Sequence, residues 1–325
     1  MKSLFKAALV VLCVLAVVGS VAKAQDLQEQ LSKLGSQAAV GFTSPLLTGF
    51  GNDLNSAWFY SADLHDILGF DVGVKVALST VKDADKTYQL TLPSSITTSF
   101  GTFSVAQGDY DQVITANSAV GKKDITSIKT KNGRLVPAGT EIGQLPGGFD
   151  LPAVPLIMPQ LDLGLPFGLE VMARYVPTIS AGDAGKFNYM GFGVRYDIDQ
   201  WIPFMPIDIA VHFTTQKMNF KSKSDQDIFS AKATAYGLEV SKKLFILTLY
   251  GGFQIESSTM TLNDFQGINQ ATGTAVTISG YDVNGSDKSR FTLGARLLLL
   301  IINVHAEYSF ATVPVAAVGV GISIR

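Results

Sequence analysis

Apolar and polar residues alternate along much of this chain. Between positions 70 and 79 large apolar side chains take the even positions and polar, charged or small residues the odd ones: Phe70, Val72, Val74, Val76 and Leu78 against Asp71, Gly73, Lys75, Ala77 and Ser79. The same alternation recurs within 167–176, 190–197, 207–214 and 302–309. A period of two places successive side chains on opposite faces of an extended strand. The pattern therefore predicts β-strands with one apolar and one polar face.

Two features of these strands favour a membrane barrel over a soluble β-sandwich. Their polar faces are rich in Gly, Ala and Ser with isolated charges, which suits a crowded lumen better than a solvated surface. Aromatic residues fall near strand ends, as interfacial girdles require: Phe167, Tyr175, Tyr196, Phe245, Tyr308 and Phe310. Strands of about 9 to 13 residues also match a tilted crossing of the hydrocarbon layer. A secreted or periplasmic β-sandwich is the remote alternative.

Counting the predicted strands gives the size of the barrel. They are 57–64, 70–79, 157–164, 168–177, 187–198, 206–216, 229–241, 244–256, 288–298, 302–310 and 315–324. A closed single-chain barrel needs an even number, and Gln37–Pro45 is the best additional strand. The predicted fold is all-β: a closed antiparallel transmembrane β-barrel of 12 strands. Tyr88–Leu92 and a hairpin turning at Asn132-Gly133 would raise the count to 14 if they joined the wall.

Strand parity predicts both chain ends at the periplasmic side, with short turns there and long extracellular loops on the other side. The predicted long connections are 80–156, 178–186, 217–228 and 257–287. The excursion 80–156 ends in a Pro-rich stretch, 146–166, which cannot lie wholly inside a central ladder because proline donates no hydrogen bond. Asp282–Asp287 superficially resembles a calcium loop, but Asn284-Gly285 is more simply a tight turn.

The first residues have the three parts of a secretory signal peptide. Lys2 and Lys6 precede a 12-residue apolar core, and Ala22-Lys23-Ala24 predicts cleavage after Ala24. The domain prediction is thus a signal peptide over 1–24 and a single barrel domain over 25–325. Within it, 25–56 is a plug or a first strand. Leucines at helical spacing between 25 and 36 predict a short helix at the barrel mouth, and a frayed terminus is the alternative.

Composition narrows the class of protein. Hydrophobic residues make up 47% of the 325 residues and charged residues 16%, and mean hydropathy is +0.27, yet no run after the leader is long enough for a membrane helix. The leader carries three lysines and no acid, so its removal moves the net charge from −2 to −5. A nucleic-acid binder would need a basic field. Cys13 lies in the leader, so no disulfide or thiolate metal site is expected.

Charged residues on the predicted inward faces are the candidate lumen residues. They are Lys75, Glu170, Arg174, Arg195, Asp197, Asp208, His212, Glu239, Arg296, His305 and Glu307, together with Asp71 and Arg290. One interpretation is a web of ion pairs that fills a narrow lumen. The other is a polar path in which Arg174, Arg195 and Arg296 recognise an anionic head group.

Catalytic motifs are missing from the sequence. The sequence contains no HExxH, G-x-S-x-G or P-loop motif. Its three histidines are His65, His212 and His305. His305 and Glu307 share a strand face but lie about 7 Å apart and do not form a dyad by themselves. The sequence therefore predicts neither an enzyme nor a cofactor or metal site.

Three segments carry a family resemblance: LDLGLPFGLEVMARYVPTI (161–179), FGVRYDIDQWIPFMPIDIAV (192–211) and the ending GVGISIR. In their order they resemble an uncharacterised family of outer-membrane barrels of Bacteroidota-type bacteria. More loosely, the plan is similar to FadL-type transporters of hydrophobic molecules, whose N-terminal segment plugs the barrel. The chain ends in Ile324-Arg325, whereas many such barrels end in an aromatic residue.

The expected function follows from this location. The hypothesis is passive transport of a small hydrophobic or amphipathic solute across the cell outer membrane, and the alternative is a closed structural or surface-interaction barrel without transport. Expected partners are outer-membrane lipids, a small hydrophobic ligand and the outer-membrane assembly machinery, with no nucleic acid.

Overall fold

The computed structural model describes residues 35–92, 95–98, 101–104, 109–131, 137–180, 185–222, 224–268 and 275–325. The predicted signal peptide, its cleavage site and the short helix expected between 25 and 36 fall essentially outside these residues. The turn predicted at Asn132-Gly133 also lies outside them.

Nineteen strands follow one helix, α1 (Ser36–Leu54). They are β1 (Phe70–Thr80), β2 (Thr87–Thr91), β3 (Ser95–Thr98), β4 (Gly101–Ser104), β5 (Val113–Asn117), β6 (Thr126–Lys129), β7 (Glu141–Leu145), β8 (Ala153–Leu165), β9 (Leu169–Ser180), β10 (Lys186–Asp197), β11 (Asp208–Lys221), β12 (Asp227–Leu244), β13 (Leu247–Leu262), β14 (Phe265–Ile268), β15 (Ala275–Ile278), β16 (Tyr281–Asn284), β17 (Ser289–Leu299), β18 (Ile302–Phe310) and β19 (Val315–Ile324). These bounds cover the described residues only.

Ten of these strands close into an antiparallel barrel. The wall runs β12-β11-β10-β9-β8-β1-β19-β18-β17-β13, and β13 pairs with β12 to close it. The first and last strands lie side by side, with Val74 opposite Val320. The ten strands predicted between 70 and 324 are confirmed, because the period-two pattern marks each wall strand.

The predicted counts of 12 and 14 strands are not confirmed in the described part of the chain. Gln37–Pro45 belongs to helix α1, and 57–64 is an irregular segment inside the barrel, so both strand predictions were wrong. Tyr88–Leu92 does contain a strand, β2, but β2 pairs with β5 outside the wall.

Helix α1 and residues 55–66 fill the barrel, and we call residues 36–66 the plug. At one end the Phe42 carbonyl accepts a hydrogen bond from the Ala119 amide, beside the long loops. At the other, the His65 amide donates to Glu170 at the base of β9. The first described residue therefore lies at the long-loop end, and the plug runs back through the lumen before β1 begins at the short-turn end.

The excursion after β1 forms a lobe at the long-loop end, and we call residues 81–152 the loop lobe. Three two-stranded sheets lie in it: β2 with β5, β3 with β4, and β6 with β7. Backbone hydrogen bonds join Phe149 to Ala119 and Leu151 to Val120 across its base. Outside the lobe, β16 lengthens the wall beside β13, and this strand includes Asn284 of the predicted turn.

Prolines enter the wall further than the sequence predicted. Strand β8 begins at Ala153 and includes Pro155 and Pro159, both opposite residues of β1. On its other side β8 pairs with β9 only from Gln160 onwards. The prolines thus lie where β8 has one paired neighbour, so the missing N–H groups break no second ladder.

Outward-facing side chains form an apolar belt around the barrel. On β19 and β18 they are Val318, Val320, Ile322 and Ile324, and Ile302, Val304, Tyr308 and Phe310, all substantially exposed. Lys217 and Lys232, opposite each other on β11 and β12, are exposed outward at the long-loop side. The belt therefore lies towards the short-turn end. None of the helices in the described ranges is long and apolar enough to cross a membrane.

Each junction at the short-turn end has an exposed apolar residue with positive φ. They are Leu68, Phe167, Phe204, Phe245 and Leu300. Bulky side chains disfavour this left-handed backbone region. Because the tips touch little else in the chain, their apolar side chains extend the belt to the rim of the barrel.

Candidate functional site in the barrel lumen

The lumen is packed with chain from end to end. Every residue from Gly51 to Ala62 is buried. Helix α1 fits closely against the wall, since a Cβ at Gly49 would lie 2.5 Å from Val154 Cγ2. Residues 55–66 of the plug have no regular secondary structure. Their backbone polar groups therefore need hydrogen-bond partners from the wall.

Arg174 supplies several of these partners. Its guanidinium donates to the carbonyls of Ser56 at 2.9 Å and Ala57 at 2.7 Å. Its Nε donates to Gln160 Oε1 at 2.8 Å, while its plane lies 3.8 Å from the ring centre of Trp58. Arg174 is wholly buried and binds the chain where helix α1 gives way to irregular backbone.

Three consecutive aromatic residues of the plug pack on cationic or imidazole groups of the wall. After Trp58 on Arg174, the Phe59 ring lies 5.6 Å from that of His212. The Tyr60 ring lies 5.0 Å from His305 and is flanked by Lys75 and Arg296. Cations over aromatic faces gain electrostatic stabilisation in a desolvated setting. The aromatic run thus anchors the plug to both sides of the wall.

A chain of buried ionisable side chains crosses the short-turn half of the lumen. Arg195 donates to Glu170 Oε1 at 2.7 Å and also binds Glu239 and the Ser61 carbonyl. His65 Nδ1 lies 2.7 Å from Glu170 Oε2, and His212 Nδ1 lies 2.8 Å from Glu239 Oε1. The order His65–Glu170–Arg195–Glu239–His212 joins the plug to four wall strands. Each carboxylate has a partner on both oxygens, as buried charges require.

A second ion pair lies nearer the long-loop end. Arg290 donates to both oxygens of Glu256, at 2.9 and 3.1 Å, and to the Asn52 carbonyl at 2.9 Å. It also donates to Ser56 Oγ. The bidentate contact with Glu256 leaves the remaining N–H groups of Arg290 free to donate to the plug. Arg290 was among the inward charges that alternation predicted.

The remaining predicted lumen residues fall into four groups. Lys75 and Glu307 bind the plug backbone at Trp58 and Ala57. Arg296 donates to Asn303, which in turn donates to Asp71. His305 is buried against Tyr60. Asp197 and Asp208 lie at strand ends, partly exposed, where they accept from the Gln200 amide and the Ser241 hydroxyl.

This arrangement favours the ion-pair web over head-group recognition. Both signs of charge alternate through the lumen, and the donors of Arg174 and Arg195 are engaged by the chain itself. Recognition of an anionic head group by Arg174, Arg195 and Arg296 therefore remains a prediction. No group of three or more His, Cys, Asp or Glu in the described ranges has the geometry to hold a metal ion.

Several residues of the lumen were not among the predicted set. They are Asp53, Trp58, Tyr60, His65, Gln160, Asp162, Gln216, Gln254, Glu256 and Ser323. Those on strands occupy inward positions that alternation marks, but most of them carry no charge and so were not among the predicted charged residues. Those on the plug carry no periodic signal, although Trp58-Phe59-Tyr60 breaks the alternation that a strand would show.

Comparison with known proteins gives a family and weak structural likenesses. The chain matches the family described as a family of unknown function (DUF6588) over residues 1–324. No curated protein matches the chain. Among solved structures it is similar to the attachment invasion locus protein Ail of Yersinia pestis, with 10% identity, 48% of this chain and 95% of that chain covered, and a TM-score of 0.26.

Two larger barrels are also similar. The β-domain of the Bordetella autotransporter BrkA is 10% identical over 80% of this chain and 99% of its own, with a TM-score of 0.31. A porin is 13% identical over 78% of this chain and 100% of its own, with a TM-score of 0.21. At these TM-scores the likenesses carry no inference about function.

Proposed function

This chain belongs to a family of unknown function, DUF6588, and we propose that it is a closed outer-membrane barrel that presents the loop lobe at the cell surface. The plug carries this proposal. Residues 36–66 occupy the lumen, and wall side chains bind their backbone from the long-loop end to the short-turn end. Residues 51–62 of the plug are all buried, so the described part of the chain obstructs the passage of a solute along the lumen.

The apolar belt supports insertion in the outer membrane. Its outward residues are aliphatic in the middle and aromatic near the rims, the pattern of a lipid-facing surface. The exposed apolar tips at the short turns fit the interfacial layer of the membrane. In this orientation the short turns face the periplasm and the loop lobe faces outward.

Val320→Arg tests whether the belt contacts lipid. Val320 lies midway along β19 and is 55% exposed. In a bilayer we expect this variant to lower the free energy of unfolding by about 2–4 kcal/mol, the cost of an arginine at the midplane. Val113→Arg is the matched control, because Val113 is 54% exposed on the loop lobe and should change stability by less than about 0.5 kcal/mol. Equal effects, measured by urea unfolding in vesicles, would contradict a lipid-facing belt.

Planar-bilayer recording tests the closed lumen. The purified full-length protein should insert without producing steady ion conductance, because ion-paired side chains and the plug fill the cross-section. A heat-modifiability gel on the same sample should show the faster-migrating folded barrel. Folded protein with a stable ohmic conductance would contradict the closed state.

The loop lobe is a surface element with its own internal order. It packs on helix α1, where burial raises the pKa of the Tyr88 phenol to about 12. The strands described within the lobe, held beside the plug, suit recognition of an external partner better than a loop that merely connects strands. We expect a variant in which 81–152 is replaced by a short turn to fold as a barrel but to lose binding of the external partner at the cell surface.

Uptake of a small hydrophobic or amphipathic solute is the second candidate. One observation favours it: a cavity of about 250 Å³ between helix α1 and the loops at the mouth. Pro45, Val81, Val154 and Val313 supply apolar walls, and Thr48 supplies a hydroxyl. Movement of a captured solute further inward would require displacement of the plug. Solute uptake by a strain that carries the protein, absent from the deletion strain, would favour this candidate over a closed barrel.

A further inference from the structure

One buried histidine lies between a serine and a glutamate. Ser323 Oγ lies 3.2 Å from His65 Nε2, and His65 Nδ1 lies 2.7 Å from Glu170 Oε2. Nucleophile, base and orienting carboxylate in hydrogen-bond series are the signature of nucleophilic acyl transfer. We infer that Ser323, His65 and Glu170 form a serine-hydrolase triad that cleaves a carboxylic ester at the periplasmic end of the barrel.

The hydrogen bonds fix the role of each ring nitrogen. Glu170 Oε2 also accepts from the His65 backbone amide at 3.0 Å, and an acceptor-only carboxylate requires the proton on Nδ1. Nε2 is then free to accept the Ser323 proton. Arg195 holds the other Glu170 oxygen at 2.7 Å. Glu170 is thus a positioning residue, whereas Ser323 and His65 are the catalytic residues.

A cation beside the nucleophile provides oxyanion stabilisation. Arg296 Nη2 donates to Ser323 Oγ at 3.1 Å, and Asn303 Oδ1 holds Arg296 Nε at 3.0 Å. The guanidinium also packs on the Tyr60 ring. A fixed donor of this kind stabilises the negative charge that develops on the carbonyl oxygen.

The other two histidines lack this arrangement. His212 has a glutamate on Nδ1, Glu239, but its Nε2 has no hydrogen-bond partner among the described residues. Neither ring nitrogen of His305 has a partner there. A purely structural histidine needs no hydroxyl on its second nitrogen, so only His65 has the geometry of a base.

The reaction requires only ester and water. Ser323 Oγ bonds to the acyl carbon as its proton passes to His65 Nε2, and the carbonyl electron pair moves to oxygen. Collapse of this intermediate breaks the bond to the alcohol, which leaves with the proton from His65. Water, deprotonated by His65, then attacks the acyl-serine, releasing the carboxylic acid and restoring Ser323.

An ion pair separates the triad from the periplasmic mouth. The Arg325 guanidinium donates to a carboxylate oxygen of Asp63 and, at 2.9 Å, to the Asp63 backbone carbonyl. Both side chains are partly exposed, and each residue lies two positions from a member of the triad. Ser323 itself is 4% exposed. Ester access therefore requires this pair to open, and Arg325→Ala should increase reactivity.

A fluorophosphonate probe on the full-length protein in detergent tests the inference, with p-nitrophenyl acetate as substrate. We expect covalent labelling at Ser323, located by mass spectrometry, with faster labelling and hydrolysis in Arg325→Ala. Ser323→Ala should abolish labelling, and His65→Gln should lower the hydrolysis rate on the order of 10²-fold or more.

Matched controls separate catalysis from folding. Ser309→Ala removes a different buried lumen hydroxyl, one that bonds Thr292 outside the triad. This variant should keep the labelling rate, and a heat-modifiability gel establishes that each variant is folded. No labelling of folded wild type and Arg325→Ala, or equal labelling of Ser323→Ala, would overturn the triad.

Discussion

Replacing Arg174 by alanine is expected to lower the free energy of unfolding by about 3–5 kcal/mol, a loss typical of removing one member of a buried polar network. The change removes the donors to Ser56 and Ala57 and the stacking partner of Trp58. Carbonyls left buried without donors each cost about 1–3 kcal/mol. Because Arg174 holds the turn between helix and irregular plug, the plug should loosen while the wall stays closed.

Two measurements test the prediction for Arg174→Ala. Urea unfolding in vesicles gives the stability change, and bilayer recording should show conductance in Arg174→Ala where wild type shows none. Lys186→Ala is the control, since the exposed pair of Lys186 with Asp225 should contribute at most about 1 kcal/mol. An Arg174→Ala variant that shows no conductance and unchanged stability would show that Arg174 does not hold the plug.

Replacing Arg195 by methionine should cost a similar amount, about 3–5 kcal/mol. Arg195 lies between Glu170 and Glu239, so the change leaves two buried carboxylates without their shared cation. The plug also loses a donor at the Ser61 carbonyl. Methionine keeps much of the apolar stem of arginine, so the lost stability reflects removal of the charge more than creation of a cavity.

A second substitution distinguishes charge from packing. Adding Glu239→Gln to Arg195→Met should restore part of the lost stability, because Glu170 keeps His65 and the second carboxylate is neutralised. A double variant as unstable as the sum of its single changes would show that repulsion is not the cause. Unfolding curves of the four proteins complete this cycle.

The wall could be predicted from the sequence because its physics is local. Each strand contacts lipid on one face and crowded lumen on the other, so the alternation at Phe70–Ser79 or Ile302–Ser309 appears in single segments. The plug contacts protein on every side. Its sequence around Ala57–Tyr60 is apolar throughout, and such a run does not distinguish a strand from a buried irregular segment.

Partners within the lumen could not be predicted for a related reason. Parity placed Glu170, Arg195 and Glu239 on inward faces, but their pairing depends on strand order and register around the closed wall. His65 and Ser323 are 258 positions apart and meet only because the plug descends to the base of β19. No local spacing carries that information. Helix α1 was likewise missed, because Gln37–Pro45 was predicted as a strand.

The most direct test of the plugged barrel is a cross-link between plug and wall. A Cβ at Gly51 would lie 3.5 Å from Ser258 Cβ on β13, which meets the geometry of a disulfide. In a Cys13→Ser background, Gly51→Cys with Ser258→Cys should oxidise nearly completely in the folded barrel, shown by a mobility change on non-reducing gels. Gly51→Cys with Ser257→Cys, whose second position faces outward, should stay reduced. A folded barrel in which the first pair fails to cross-link would contradict the plug.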